Sequence, residues 1–147
     1  MNTTTAETRQ MALAKYLECA IDDLREGYSE EILTLGNKEY LVLTDNEADE
    51  KVTEEIKNSL WAFNASFILS ECGLDLSGEE SLKQMQERNC EDANDFILSL
   101  VEKCCGLDKF VEAAISADGR GHYLDQYSGN ENEVVLNNET FYIYRIN

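Results

Sequence analysis

The residues best suited to chemistry lie in one short segment in the last third of the chain, Asp118-Gly119-Arg120-Gly121-His122. Two glycines one residue apart let backbone amides approach a ligand closely, or let the chain reverse direction sharply. Arg120 can bind a phosphate or carboxylate through paired hydrogen bonds, and His122 is the one imidazole of the chain. The segment matches neither Gly-x-x-x-x-Gly-Lys-Ser/Thr nor Gly-x-Gly-x-x-Gly. Two interpretations stay open: a phosphate-binding loop, or a tight helix-to-strand connection in which Arg120 pairs with an acid and His122 satisfies buried backbone groups.

The other reactive residue types do not form a recognised catalytic or metal-binding pattern. His122, Asp125 and Ser128 are the types found in a hydrolase triad, but no nucleophile-elbow sequence surrounds Ser128. Structural zinc favours cysteines two to four residues apart, whereas Cys104 and Cys105 are adjacent. We therefore expect no catalytic residue, no metal and no cofactor, and predict that the protein is not an enzyme.

Acidic residues dominate the charge of the chain. Its 147 residues include 30 acidic and 12 basic ones, which gives a formal net charge of −18. This excess excludes direct binding to nucleic acid through a basic surface, and it excludes binding to anionic lipid. Solubility alone usually takes a net charge of about 2–8, so the excess favours a basic partner that accepts a surface imitating nucleic acid. The acidic residues predicted to form the contact lie on the second predicted helix of the chain, which begins near Asp45 and is α2 in the structure below. They are called the α2 acidic face and are Asp45, Glu47, Asp49, Glu50, Glu54 and Glu55.

Hydrophobic spacing and turn signals predict an α+β fold in the order α-ββ-αααα-ββ. Thr4-Thr5-Ala6-Glu7 has the form of a capping box, and the helix that follows is predicted to end at Gly27. Residues 31–43 and 133–146 each predict a β-hairpin, the second with a turn at Asn137-Asn138 that tolerates positive φ. Because an isolated hairpin is only marginally stable, we expect the two hairpins to form one small antiparallel sheet with helices packed on it.

The longest predicted helix lies between the two hairpins. Thr44-Asp45-Asn46-Glu47 is a second capping box, and the helix is predicted to continue to Gly73. Its apolar residues recur at helical spacing and are Ala48, Val52, Ile56, Leu60, Phe63 and Phe67. Three further helices are predicted to begin near Ser77, Glu91 and Asp108.

The length predicts one domain over residues 1–147, to which residues 1–27 contribute an added N-terminal helix. The N-terminus has no basic region followed by an apolar run, and no stretch approaches the ~18 apolar residues of a membrane span. The five cysteines are odd in number and irregularly spaced, which favours reduced thiols. We therefore predict a cytoplasmic protein, in the host cytoplasm if a phage encodes it, and no membrane partner.

Four stretches resemble a family of small acidic proteins from phages and other mobile elements. They are Glu39–Glu50, Leu60–Asn64, Ala117–Leu124 and Phe141–Arg145. The resemblance brings no catalytic residues with it. It implies a phage or mobile-element accessory protein that inhibits a host defence complex, of the anti-CRISPR or anti-restriction type, by binding a basic host protein or nucleoprotein complex. Two alternatives stay open: a binder or sponge for a small phosphate-containing ligand at Gly119-Arg120-Gly121, and a structural or assembly subunit that pairs through its sheet edges.

Overall fold

The computed structural model describes residues 6–147, so the capping box predicted from Thr4 lies partly outside the described residues. These residues form seven α-helices and one five-stranded antiparallel sheet, which confirms the α+β class. The chain divides into two compact units, the first comprising Met1–Val52 with Gly119–Asn147 and the second Thr53–Asp118. That residues 1–147 form one domain, to which residues 1–27 contribute an added N-terminal helix, stays a prediction. None of the helices in the described range is long and apolar enough to span a membrane.

The first unit contains the whole sheet. Its elements are α1 (Ala6–Leu17), β1 (Arg25–Glu26), β2 (Ile32–Leu35), β3 (Lys38–Thr44), the first half of α2 (Asp45–Asn58), α7 (Arg120–Leu124), β4 (Asn132–Leu136) and β5 (Glu139–Arg145). The strand order is β1-β2-β3-β5-β4, with every neighbouring pair antiparallel. The two predicted hairpins, β2–β3 and β4–β5, are therefore confirmed, and so is their union in one sheet.

The two hairpins meet through their longer strands. Val42 of β3 pairs with Ile143 of β5, and both side chains are buried. In the β4–β5 turn Asn137 has φ 52° and Asn138 φ 67°, as expected of a two-residue turn that follows the twist of the strands. Leu13 of α1 and Phe141 of β5 complete the centre of the first unit's core, so the N-terminal helix packs on the sheet.

The prediction that the first helix extends to Gly27 is wrong. The helix α1 ends at Leu17, because Glu18 adopts a left-handed backbone with φ 56° that a helix cannot continue. A single 3₁₀ turn, Ile21–Asp23, follows, and the chain then forms β1, a strand that the sequence did not predict. Leu24, which fits the helical spacing, is nevertheless buried. The apolar pattern therefore predicted correctly that this residue is buried, but wrongly that it lies in a helix.

The second unit is helical. It contains the end of α2, a 3₁₀ turn (Leu60–Ala62), α3 (Ala65–Glu71), a second 3₁₀ turn (Leu76–Gly78), α4 (Glu79–Arg88), α5 (Cys90–Cys104) and α6 (Leu107–Asp118). Phe63, Phe67 and Phe110 form an aromatic cluster with ring centroids 5.3–5.9 Å apart. Of these three, Phe110 is fully buried, so the cluster belongs to the unit's core.

The continuous helix predicted from Asp45 to Gly73 is also wrong, since α2 ends at Asn58 and α3 begins at Ala65. Side chains stabilise the break between them. Asn64 caps α3 by accepting a hydrogen bond from the Ser66 amide (3.0 Å), and Asn94 of α5 donates to the Lys57 carbonyl (2.8 Å). Gln86 of α4 donates to the Phe63 carbonyl (2.8 Å). These polar contacts satisfy backbone groups that a continuous helix would have paired internally.

Candidate functional site

The first turn of α2 begins with the predicted capping box. The Thr44 hydroxyl accepts a hydrogen bond from the Glu47 amide (3.3 Å), and Glu47 Oε1 accepts one from the Thr44 amide (2.9 Å). This reciprocal pair satisfies two backbone donors at the helix start and confirms the box. It also fixes the Glu47 carboxylate at the end of the helix.

A buried arginine of α1 holds the same carboxylate. The Arg9 side chain is 4% exposed, and its Nη1 and Nη2 donate to Glu47 Oε1 and Oε2 at 2.9 and 2.7 Å. Nη1 also donates to the Val42 carbonyl at 2.7 Å. Hydrogen bonding to Arg9 holds the pKa of Glu47 below its usual value. Glu47 therefore anchors the helix to the first unit's core.

A second arginine, Arg120 of α7, holds two further residues of the α2 acidic face. Its Nη1 lies 2.9 Å from Asp45 Oδ1 and 2.9 Å from Asp49 Oδ1, while its Nε lies 2.8 Å from Glu131 Oε1. The Arg120 side chain is 9% exposed, whereas those of Asp45 and Asp49 are 64% and 59% exposed. The guanidinium thus lies beneath its aspartates, with its charge matched by three carboxylates.

Two tyrosines of β5 complete the surroundings of this guanidinium. The Arg120 Cζ lies 4.6 Å from the centroid of the Tyr142 ring, and the buried Tyr144 hydroxyl donates a hydrogen bond to Glu131 Oε1. Burial, and then this bond, raise the pKa of Tyr144, so its hydroxyl stays a donor at neutral pH. The cluster of Arg120, Glu131 and Tyr144 connects α2, α7 and β5.

The six residues of the α2 acidic face therefore fall into two groups, those in ion pairs with arginines and those that are exposed without such a pair within residues 6–147. Three of its members, Asp45, Glu47 and Asp49, form ion pairs within the first unit. Glu50 is exposed in the same unit, and Glu54 and Glu55 are exposed in the second unit. Half of the predicted contact thus already neutralises arginines of the protein itself.

The predicted ligand loop is part of a helix rather than an open loop. Asp118 ends α6 in the second unit, Gly119 has φ 83°, and Arg120, Gly121 and His122 lie in α7. A Cβ at Gly121 would lie 2.6 Å from the Gly129 carbonyl oxygen, so this glycine permits close packing of two backbone segments. The segment connects two helices, so the predicted helix-to-strand connection is wrong, while the predicted pairing of Arg120 with acidic residues is present.

His122 does not satisfy buried backbone groups, so that part of the interpretation is wrong. It is exposed, and its ring packs edge-on against Tyr123, with the centroids 4.9 Å apart.

The residue types of a hydrolase triad are not arranged as a triad. The Ser128 hydroxyl donates directly to Asp125 Oδ1 (3.2 Å), whereas in a hydrolase triad histidine lies between these two residue types.

Asp125 has a role that the sequence did not reveal. It is 4% exposed; its Oδ1 accepts from the amides of Tyr127, Ser128 and Gly129, and its Oδ2 accepts from the Arg145 amide (2.9 Å). Burial alone would raise the pKa of Asp125, but these backbone donors lower it overall. The carboxylate therefore fixes the 125–129 turn against the end of β5.

The second unit uses its acidic residues differently. It has 14 of them, and all except Glu79, which forms an ion pair with Lys83, are exposed. In α5 the residues Ala93, Ile97 and Val101 are buried and define the inward side of the helix. The opposite side carries the exposed residues called the α5 acidic stripe below: Glu91, Asp92, Asp95 and Glu102.

The five cysteines are free, and Cys72 is the one among them that is buried. Cys72 is buried beside Cys104 and Cys105, and burial raises the pKa of its thiol to about 12. This thiol stays protonated at neutral pH and packs as a small apolar group. Within residues 6–147, no group of three or more His, Cys, Asp or Glu side chains could hold a metal ion.

Comparison with known proteins adds no identification. No protein family, no curated protein and no solved structure matches the chain.

Arg9, Asp125 and Glu131 were missed at the level of sequence because each acts on a residue distant along the chain. Arg9 and Glu47 are 38 positions apart, and Arg145 and Asp125 are 20 apart. One local signal existed: an Asp followed by Ser three residues later, as in Asp125 to Ser128, is typical of turns in which the carboxylate accepts backbone amides.

Proposed function

We propose that the protein is a non-enzymatic inhibitor that occupies the nucleic-acid-binding groove of a basic host protein or nucleoprotein complex, with the α5 acidic stripe as its contact. The observation that carries the proposal is the set of four exposed carboxylates opposite the buried side of α5. At a rise of 1.5 Å per residue the stripe is about 16 Å long and carries four negative charges on one side of the helix. A single DNA strand presents one charge per ~3.4 Å, so the stripe is a line of negative charge that is less dense and less regular than that strand.

The stripe is a better contact than the α2 acidic face for an electrostatic reason. Within residues 6–147 none of the four carboxylates of the stripe forms an ion pair, so their negative charge is available to a partner. In the α2 acidic face, Arg9 and Arg120 neutralise much of the charge of Asp45, Glu47 and Asp49. Glu54 and Glu55 lie in the same unit as the stripe and extend the acidic surface available to a partner.

The setting of this activity rests on the resemblance of residues 39–145 to proteins of phages and mobile elements. We infer an accessory protein that works in the host cytoplasm against a CRISPR or restriction complex. The alternative, phosphate binding by Gly119-Arg120-Gly121, has less support, since Arg120 is 9% exposed and already bonded to three carboxylates.

A capture experiment in bacterial lysate tests the proposal. The tagged protein is expected to retain a basic, nucleic-acid-handling protein at low salt, and added duplex DNA is expected to displace it because the two compete for one groove. Retention should weaken as salt rises, since exposed charge pairs are screened. Capture that duplex DNA or RNA does not displace would contradict the proposal.

A variant of the stripe serves as the matched arm of the same experiment. Replacing Glu91 and Glu102 with Gln, and Asp92 and Asp95 with Asn, preserves side-chain shape and removes four charges. The DNA-displaceable protein should then be lost from the capture. Undiminished capture by this variant would show that the α5 acidic stripe is not the contact.

A further inference from the structure

The first unit contains a pocket that the proposed function does not use. Its volume is about 290 Å³, and the end of α1, the start of β3, residues 125–132 and the end of β5 line it. Leu17 and Ile143 contribute apolar surface. The polar side chains that line it include those of Tyr16, Tyr40, Asp125, Tyr127 and Arg145.

Arg145 differs from the two buried arginines in its partners. Its Cζ lies 3.6 Å from the centroid of the Tyr127 ring, and its Nε donates to the Asn147 carbonyl (2.6 Å). Arg9 and Arg120 each have a side-chain carboxylate within 2.9 Å, whereas within residues 6–147 Arg145 forms no ion pair with a side chain and its two Nη nitrogens form no hydrogen bond. In a chain with 30 acidic residues, a guanidinium at a pocket whose Nη nitrogens form no hydrogen bond within residues 6–147 retains donors for a ligand.

The tyrosines of the pocket add hydrogen-bond donors without adding negative charge. Tyr40 is 7% exposed, and although the charge of Arg145 opposes it, burial raises the pKa of Tyr40. Its hydroxyl therefore stays protonated. The one carboxylate in the lining, that of Asp125, already accepts four backbone hydrogen bonds, which disperse its charge.

We propose that this pocket binds the oxyanion of a small organic ligand, a carboxylate or a phosphate, through the Nη groups of Arg145 and the hydroxyls of Tyr16 and Tyr40. A guanidinium matches the planar fork of an oxyanion, and phenolic hydroxyls donate to its remaining oxygens. Tyr127 keeps the guanidinium in place by stacking against it. The site lies wholly in the first unit and is independent of the α5 acidic stripe.

The net charge of the protein does not prevent this binding. Charges in solvent are screened beyond about 8 Å at physiological ionic strength, whereas the donors of the pocket touch the ligand. Binding should therefore be governed by Arg145 rather than by the distant exposed carboxylates.

Thermal unfolding and calorimetric titration of the purified protein test the site, with inorganic phosphate, adenosine monophosphate and acetate as probes and adenosine as the uncharged control. At least one of the three oxyanions should raise the melting temperature at millimolar concentration, and adenosine should not. Stabilisation by both phosphate and the nucleotide but not by acetate assigns a phosphate ligand, and stabilisation by acetate alone assigns a carboxylate. Absence of a shift with all three, or an equal shift with adenosine, overturns the proposal.

Three variants make the test specific to the pocket. Arg145→Gln should weaken binding at least about tenfold, the loss expected for a charge-assisted pair. Tyr16→Phe removes one hydroxyl at the half-exposed rim and should weaken binding by a smaller factor without disturbing the core. Arg25→Gln, at an exposed arginine of the same unit, should leave binding unchanged. Affinity that is unaffected in both Arg145→Gln and Tyr16→Phe would overturn the assignment even if one of the variants folds poorly.

Discussion

The two units have the same formal charge and differ in how their acidic residues are paired. The first has 16 acidic and 7 basic residues and the second 14 and 5, so each has a formal charge of 7 − 16 or 5 − 14, which is −9. In the first unit two arginines with largely covered side chains, Arg9 and Arg120, form ion pairs with four carboxylates, which are those of Asp45, Glu47, Asp49 and Glu131. In the second, 13 of the 14 acidic residues are exposed.

The positions of a few arginines, rather than net charge, therefore decide which acidic residues are available to a partner. The side chains of Arg9 and Arg120 are 4% and 9% exposed, whereas Lys83, the basic partner of Glu79 in the second unit, is 49% exposed. A buried cation is strongly destabilising unless it is paired, so carboxylates at the surface form ion pairs with it. An exposed cation does not, because water solvates both charges and the pair contributes little.

The largest expected effect is on stability, at Arg9. Arg9→Met removes the cation that holds Glu47 and leaves the buried Val42 carbonyl without this donor. We expect the free energy of unfolding to fall by about 3 kcal/mol, as is usual when one partner of a buried pair is lost. Urea unfolding followed by circular dichroism measures it.

The matched control is Arg88→Met, at an exposed arginine of the second unit. This substitution should change the free energy of unfolding by less than about 0.5 kcal/mol. Equal losses in the two variants would remove the distinction between the units.

The fold was largely predictable where local patterns act alone. The capping box at Thr44, the two hairpins and their union in one sheet follow from spacing and turn residues, and the structure confirms them. The extents of the helices were not predictable in the same way. Helical spacing of apolar residues continues past Leu17 and past Asn58, but the left-handed Glu18 and the Asn64 cap interrupt the helices there.

The use of each acidic residue could not be predicted from the sequence, because it depends on contacts between distant positions. Nothing near Asp49 in the sequence indicates that Arg120, 71 positions away, neutralises it. The same holds for Glu47 and Arg9. Acidic residues counted along a helix therefore overstate the charge that a partner meets.

A smaller effect is expected from acid. The pKa of Glu47 is lowered chiefly by hydrogen bonding to Arg9, and backbone donors lower that of Asp125 against the effect of burial. A carboxylate whose folded-state pKa is depressed stabilises the protein above its unfolded-state pKa of about 4, and this contribution is lost as the pH falls through the folded-state value. The first unit should therefore lose stability below about pH 4.

Residue-resolved NMR during acid titration checks this expectation. Signals of α1 and of the 125–129 turn should lose their native positions before those of α5, and Glu47→Gln should reduce the pH dependence in α1. Loss of the α5 signals first would contradict the division of roles between the units.

The smallest expected effect is on the stability of the α5 variant described above. Removing its charges relieves the repulsion between Glu91 and Asp95, which is worth a few tenths of a kcal/mol. It also removes the favourable interaction of Glu91 and Asp92 with the helix dipole at the N-terminus of α5, which is of similar size. The free energy of unfolding should stay within about 0.5 kcal/mol of the unmodified protein. A loss as large as that of Arg9→Met would mean that the stripe is structural.

The most direct test of the central claim compares the affinity of the captured partner for two variants of equal net charge. The first variant neutralises the four residues of the α5 acidic stripe. The second neutralises four exposed acidic residues of the first unit, which are Asp23, Glu26, Glu50 and Glu133. Both variants therefore have a formal charge of −18 + 4 = −14. If the second unit's exposed charge makes the contact, the stripe variant should bind at least about tenfold more weakly at low salt, and the other should bind nearly as the unmodified protein does. Equal weakening in both variants would show that net charge, rather than the α5 acidic stripe, drives the interaction.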